Sequence, residues 1–256
     1  MPVLRALAFN ACFYLYTVLI GILGLPSVVS RSTTLKLVRA WAGGSLWLLR
    51  VLGGVAYEFR GLDNIPKGPL LLGAKHQSVL ETLAMTLVLE DFAYILKREL
   101  LFIPVVGWYM MRAGMVAIDR SKGSKAMTLM NSAAADAIAE GRQLIIFPEG
   151  TRRPPGAPPA YKLGLVHLYT RLGVPCVPVA VNTGLFWPRR SLVRRPGTAV
   201  IEFLPPIPAG MERTAFLALI QERVETASNV LLDKGRAELA ARGIVLPEHD
   251  TVSRAG

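Results

Sequence analysis

Hydrophobic positions fall into three patterns along the chain. Residues 6–30 (ALAFNACFYLYTVLIGILGLPSVVS) hold no charged side chain. At 1.5 Å rise per residue, about 20 residues of such a run match the ~30 Å hydrocarbon core of a bilayer. Arg5 precedes the run, and Arg31, Lys36 and Arg39 come after it. A secretory signal peptide is the rival reading, but the run is long and no clear small-x-small cleavage site ends it. The next stretch, residues 35–57, is apolar but interrupted by Lys36, Arg39 and Arg50, with Trp41 and Trp47 inside it. That pattern fits a helix lying in a membrane interface, or the second arm of a hairpin dipping into one leaflet. Cations after the first run predict that the rest of the chain lies on the cytoplasmic side.

Beyond residue 54, short apolar runs alternate with helical periodicity. Strands are predicted at 55–60, 70–74, 92–96, 115–118, 143–147, 176–181 and 198–204. Helices are predicted near 79–89, 125–140 and 161–172, with Gly141 as a helix-terminating residue. A last helix, about 212–242, carries Phe216, Ile220, Val224, Ala227 and Leu231 on one stripe. Strands alternating with helices predict an α/β fold with a largely parallel central sheet flanked by helices and an N-terminal membrane-associated helical segment. The expected divisions are a membrane anchor over 1–53, an α/β domain over 54–210, and an amphipathic helix with a tail over 211–256. Residues 153–160 (RPPGAPPA) form a stiff, non-helical loop.

Composition sharpens this picture. Hydrophobic residues make up 52% of the 256 positions and charged residues only 18%, which agrees with a membrane segment. There are 29 Lys and Arg against 18 Asp and Glu, a formal charge of +11. Such a balance favours anionic partners: phosphate-bearing substrates, acidic lipid surfaces or nucleic acid. Two cysteines, Cys12 in the apolar run and Cys176 in a predicted strand, argue against a disulfide framework and fit a reducing compartment.

The chemistry centres on one of three histidines. His249 lies in a polar tail, and His167 sits within a helical pattern where a packed or surface role is expected. His76 instead comes after the strand LLLGA in a strand-to-helix turn, where open α/β sheets gather their ligands. A neutral imidazole there can take a proton from an attacking hydroxyl. Glu81, five positions on, can turn back to bond the imidazole and fix its tautomer. Ser78-x-x-Glu81 also reads as a helix capping box, and spacing does not separate the two readings. The block Phe147-Pro-Glu-Gly-Thr-Arg152 ends another strand, and its turn can offer N–H groups, a hydroxyl and a guanidinium to one anion. Lys97, Arg98 and Arg120 stand after further strands, so a shared phosphate pocket is predicted. Ala74-Lys75-His76 stands where a P-loop needs Gly-Lys-Ser/Thr, and neither a G-x-S-x-G elbow nor an H-E-x-x-H motif occurs.

Four blocks together resemble the glycerolipid acyltransferase family, the bacterial 1-acyl-glycerol-3-phosphate acyltransferases among them. They are His76-Gln-Ser-Val-Leu-Glu81; Lys97-Arg-Glu-Leu-Leu-Phe-Ile-Pro104 with Gly107, continuing through Gly114-Met-Val-Ala-Ile-Asp-Arg120; Phe147–Arg152; and Val177-Pro-Val-Ala-Val-Asn182. The resemblance implies that His76 is the catalytic base and that Glu81 orients it. It further implies that Lys97, Arg120 and Arg152 hold the acceptor phosphate in a pocket shaped by Glu149, Gly150 and Thr151. The family's usual acid is Asp, and this chain carries Glu81. The implied reaction transfers a fatty acyl group from an acyl thioester, acyl-CoA or acyl carrier protein, to the sn-2 hydroxyl of lysophosphatidic acid. No cofactor or metal is implied, nor any nucleic acid, and the site is expected at the cytoplasmic face of a membrane. The alternatives are another lysolipid acceptor, such as a lyso-ornithine lipid, a non-catalytic binder of anionic lipid, and a nucleic-acid binder, which fits the charge but is opposed by the membrane run and the scattered cations.

Overall fold

The computed structural model describes residues 2–119 and 123–246, and a seven-stranded sheet forms their centre. The strands are β1 (Val55–Arg60), β2 (Leu70–Ala74), β3 (Phe92–Lys97), β4 (Val116–Ile118), β5 (Gln143–Ile146), β6 (Cys176–Val181) and β7 (Gly197–Phe203). Their spatial order is β1-β7-β6-β2-β5-β3-β4. Only the β6–β7 pairing is antiparallel. β2, β3, β5 and β6 therefore end on the same edge, and the loops leaving that edge meet there.

β2 lies between β6 and β5 with all five residues buried, as expected for a strand covered by helices on both faces. Leu70, Leu72 and Ala74 join one core, while Leu71 joins the other. The first face is covered by α1 (Pro2–Leu23), α2 (Arg31–Leu48), α3 (Leu80–Val88) and the short α7 (Thr183–Phe186). The second is covered by α5 (Gly123–Ala139), α6 (Gly164–Leu172) and the start of α8 (Arg213–Ala241). Gly73 permits this second packing: a Cβ there would stand 2.6 Å from Ile220 Cδ1 and 3.3 Å from Leu165 Cδ2.

The uncharged run 6–30 is not one helix. α1 stops at Leu23, a 3₁₀ turn spans Leu25–Val29 with Pro26 in it, and Ser30 caps α2 by accepting the Thr33 N–H at 3.2 Å. α1 and α2 form an antiparallel hairpin, pinned where Trp41 donates to Thr17 at 3.0 Å and Tyr16 to the Ala40 carbonyl at 3.0 Å. One side of α1 is seated on the body of the protein. Phe9 and Phe13 meet the Trp187 ring edge-on at 5.2 and 5.5 Å, Arg194 lies over Phe9 and Trp187, and Asn10 donates to the Leu192 carbonyl. The other side of α1 exposes Leu4, Tyr14, Leu15, Val18, Ile22 and Leu23.

A helix unmarked by periodicity, α4 (Val106–Arg112), sits against the end of α1, where Tyr109 donates to the Gly21 carbonyl at 2.8 Å. Arg31 pairs with Asp91, tying the start of α2 to the turn before β3. Along α8, Phe216, Ile220, Val224 and Leu231 are buried, and Phe216 stacks on Tyr169 with ring centroids 3.6 Å apart. Removing that ring with Phe216→Ala will destabilise the fold by about 3–5 kcal/mol. Denaturant unfolding in detergent micelles measures this; a loss below about 1 kcal/mol would mean that α8 is not part of the core.

Candidate active site

His76 lies two residues past the end of β2, and both its backbone groups are held by the loop after β5. Its N–H donates to Glu149 Oε2 at 2.8 Å, and its carbonyl accepts the Arg153 N–H at 2.8 Å. Glu81 lies in the first turn of α3, fully buried. Its Oε1 accepts the Gln77 and Ser78 N–H groups at 2.8 and 2.7 Å and meets His76 Nδ1 at 2.9 Å. Its Oε2 accepts the Thr183 hydroxyl at 2.6 Å. Ser78 Oγ accepts the Leu80 N–H at 3.2 Å. Capping the helix and bonding the imidazole are therefore not alternatives, because one carboxylate does both.

A carboxylate oxygen facing Nδ1 assigns the proton of a neutral ring to Nδ1 and leaves the lone pair on Nε2. The ring is stacked on Phe147, centroids 3.8 Å apart and planes 15° from parallel, so its rotation is restricted. One edge remains accessible and lines a cavity of about 690 Å³. Gly150, Thr151, Arg152, Arg189 and Lys97 contribute polar wall. Most of the rest is apolar, from α1 (Val18, Ile20), α2 (Leu37, Val38), Val79 and α3 (Leu83), β3 (Phe92) and α4 (Val106, Met110).

The cations of the wall differ in setting. Arg152 is half-buried; burial lowers its pKa first, then repulsion from Arg189 and Arg190, while Glu81 opposes the fall. Arg189 Nη1 donates to the Arg152 carbonyl at 2.9 Å, which brings a second guanidinium beside the first. Lys97 is exposed and paired with Glu99 at 3.0 Å. Arg98 turns to Asp119 at 2.8 Å, and Arg120 lies outside the described residues.

Glu149 is 2% exposed and stands behind the wall, not on it. Burial raises its pKa, while Lys75 and the His76 N–H draw it back. Gly150, with φ at +68°, lets the chain reverse so that Thr151 and Arg152 reach the cavity. Among the described residues no group of three His, Cys, Asp or Glu side chains is arranged to hold a metal ion.

A profile of the family described as Acyltransferase matches residues 56–182, the span from β1 to Asn182. The 1-acyl-sn-glycerol-3-phosphate acyltransferase of Pseudomonas aeruginosa is 34% identical over 200 residues, covering 78% of each chain. The chain belongs to the acyltransferase family. A human relative, 1-acyl-sn-glycerol-3-phosphate acyltransferase alpha, is 30% identical over 78% of this acyltransferase and 72% of its own length. In fold, this acyltransferase is similar to the crystal structure of the 1-acyl-sn-glycerophosphate acyltransferase from Thermotoga maritima. The TM-score is 0.74 at 23% identity, covering 90% of this chain and 95% of that one.

Sequence reasoning missed several residues of this acyltransferase's site. Thr183 is 102 positions from Glu81, and nothing local marks it as a partner. Arg189 belongs to the loop 187–196 (WPRRSLVRRP), whose four arginines read only as charge. Lys75, Glu225 and Tyr161 form a buried cluster behind His76. Glu81→Gln keeps the size of that side chain but removes the charge that favours the Nδ1–H tautomer, and kcat should fall by about 10²–10⁴-fold with modest change in KM. Steady-state rates with the purified variant check this, and unchanged kcat would contradict it.

Proposed function

We propose that this acyltransferase moves a fatty acyl group from an acyl thioester to the sn-2 hydroxyl of 1-acyl-glycerol 3-phosphate, producing phosphatidic acid for phospholipid synthesis. The names of the bacterial and animal relatives support this acceptor. The observation that carries the reading is the sharing of one cavity by the accessible edge of His76, the guanidinium groups of Arg152 and Arg189, and a long apolar wall. A lysolipid phosphate needs the cations, an acyl chain needs the apolar wall, and a reacting hydroxyl needs the base.

In this mechanism the acceptor phosphate is drawn to Arg152 and Arg189, with Lys97 at the rim. Guanidinium groups suit this task through paired, planar hydrogen bonds to phosphate oxygens. His76 Nε2 removes the proton of the sn-2 hydroxyl as its oxygen attacks the thioester carbonyl. Glu81 stabilises the imidazolium that forms. As the tetrahedral intermediate collapses, the new C–O bond is kept, the C–S bond breaks, and His76 returns its proton to the departing thiolate. A thiolate leaves readily, so the step requires no covalent enzyme intermediate. Coenzyme A and acyl carrier protein both supply such a thiol. Arg120, grouped with the phosphate residues by resemblance, lies outside the described residues.

The exposed side of α1 supports attachment to a membrane through residues 1–53. α1 is long and apolar enough to cross a bilayer, yet its other side is packed on Trp187 and Arg194. A helix held along the body in this way suits a hairpin embedded in one leaflet better than a free span. Next to it, Phe102, Ile103, Trp108 and Met111 are exposed on and before α4, extending the apolar face. The protein so attached takes its lysolipid laterally, with the site on the cytoplasmic side.

With purified protein, acyl-CoA and lysophosphatidic acid, release of free thiol is expected, and it should collapse when the acceptor lacks its phosphate. His76→Ala should fold yet lose about 10²–10⁴-fold or more in turnover. Arg152→Ala and Arg189→Ala should raise the acceptor KM while leaving the thioester KM near its original value. Undiminished turnover in His76→Ala would remove the base assignment, and a change confined to the thioester KM would move the arginines to the donor side.

A further inference from the structure

Behind His76, on the side away from the cavity, lies a cluster of charges that the acyl-transfer mechanism does not use. Lys75 is 1% exposed. Its Nζ lies 2.6 Å from Glu225 Oε1, on α8, and 3.4 Å from Glu149 Oε1. Tyr161 OH lies 3.2 Å from the same Glu225 oxygen, and burial beside these carboxylates pushes its pKa far up. The other oxygen of Glu149 holds the peptide N–H of His76 at 2.8 Å. A continuous chain of contacts therefore runs from α8 through Lys75 and Glu149 to the backbone of His76.

A buried ion pair is weak evidence for stability, since apolar side chains of similar volume usually serve at least as well. What apolar side chains cannot do is keep an acceptor oxygen aimed at the His76 N–H. We infer that Lys75 is a positioning residue for acyl transfer: with Glu225 of α8 it clamps Glu149, and Glu149 fixes the peptide from which the imidazole projects. The inference rests on the reading of His76 as the base. Without Lys75, two interior carboxylates face each other with no cation between them, and Glu149 leaves its post or takes up a proton. His76 then loses one of its two backbone tethers. A misplacement of about 1 Å in a reacting group costs on the order of 10²-fold in rate.

The experiment compares full-length wild type, Lys75→Met, Glu225→Gln and His76→Ala in thiol-release kinetics, with melting temperatures as a check on folding. The expected result is a kcat lower by about 10–100-fold in Lys75→Met and by about 3–10-fold in Glu225→Gln. Acceptor KM should stay within about twofold in both, the split between kcat and KM that separates positioning of the reacting group from a general loosening of the site. If Lys75→Met does not fold, the isosteric Glu225→Gln decides alone. Wild-type kcat in a folded variant, or a loss confined to acceptor KM, alongside an inactive His76→Ala, would overturn the role of Lys75 only. An active His76→Ala would overturn the base assignment beneath it.

Discussion

A carboxylate with no access to water has to be surrounded by donors, and Glu81 meets that demand with four. Two are backbone N–H groups of the turn it caps, one is Nδ1 of His76, and one is the Thr183 hydroxyl from the start of α7. Hydrogen bonds to a charged group contribute roughly 1.5–3 kcal/mol each, so losing any of them leaves a costly gap. The four contacts oblige the end of β2, the start of α3 and the loop after β6 to converge on one point. The contact with Nδ1 also favours, in a neutral ring, the tautomer with its proton on that nitrogen. Helix capping, tertiary closure and the setting of the His76 ring thus meet in one side chain.

The sheet decides what this point can face. Because β2, β3, β5 and β6 run parallel, the imidazole, Lys97, Arg152 and Thr183 all emerge from the same edge of the sheet. The α1–α2 hairpin and α4 close over that edge and give the cavity its apolar wall. A headgroup with negative charge and a chain with none can both be served within a single opening. On the opposite side, the Lys75 cluster connects the same turn to α8, so a helix some 150 positions further along the chain reaches the loop that carries His76.

Features written in short-range periodicity were legible in the sequence. Continuous apolar runs such as LLLGA marked the buried strands, and their boundaries agree within a residue or two. The spacing of His76 and Glu81 was legible because a strand-to-helix turn brings positions five apart together, although spacing could not tell capping from imidazole bonding. Contacts set by tertiary closure were not legible. Glu225 lies 150 positions from Lys75, and Thr183 lies beyond a block that looked like strand alone. α4 was missed because VGWYMMR is too short and too aromatic to show a polar face. Glu149 looked like a pocket residue by its place beside Arg152, but the turn at Gly150 sends the two side chains in different directions. The break between α1 and α2 was present in Gly24, Pro26 and Ser30, but the absence of charge masked it.

The proposed mechanism of acyl transfer requires a neutral His76 ring that carries its proton on Nδ1 and leaves Nε2 open. With only three histidines in the chain, nitrogen-15 NMR of ring-labelled protein in detergent micelles can observe it directly, assigned by loss of the signals in a His76 variant. At a pH above the ring's titration, a protonated Nδ1 hydrogen-bonded to carboxylate and an unprotonated Nε2 are predicted. A proton found on Nε2, or a ring exchanging freely between both tautomers, would contradict the assignment of His76 as a base oriented by Glu81.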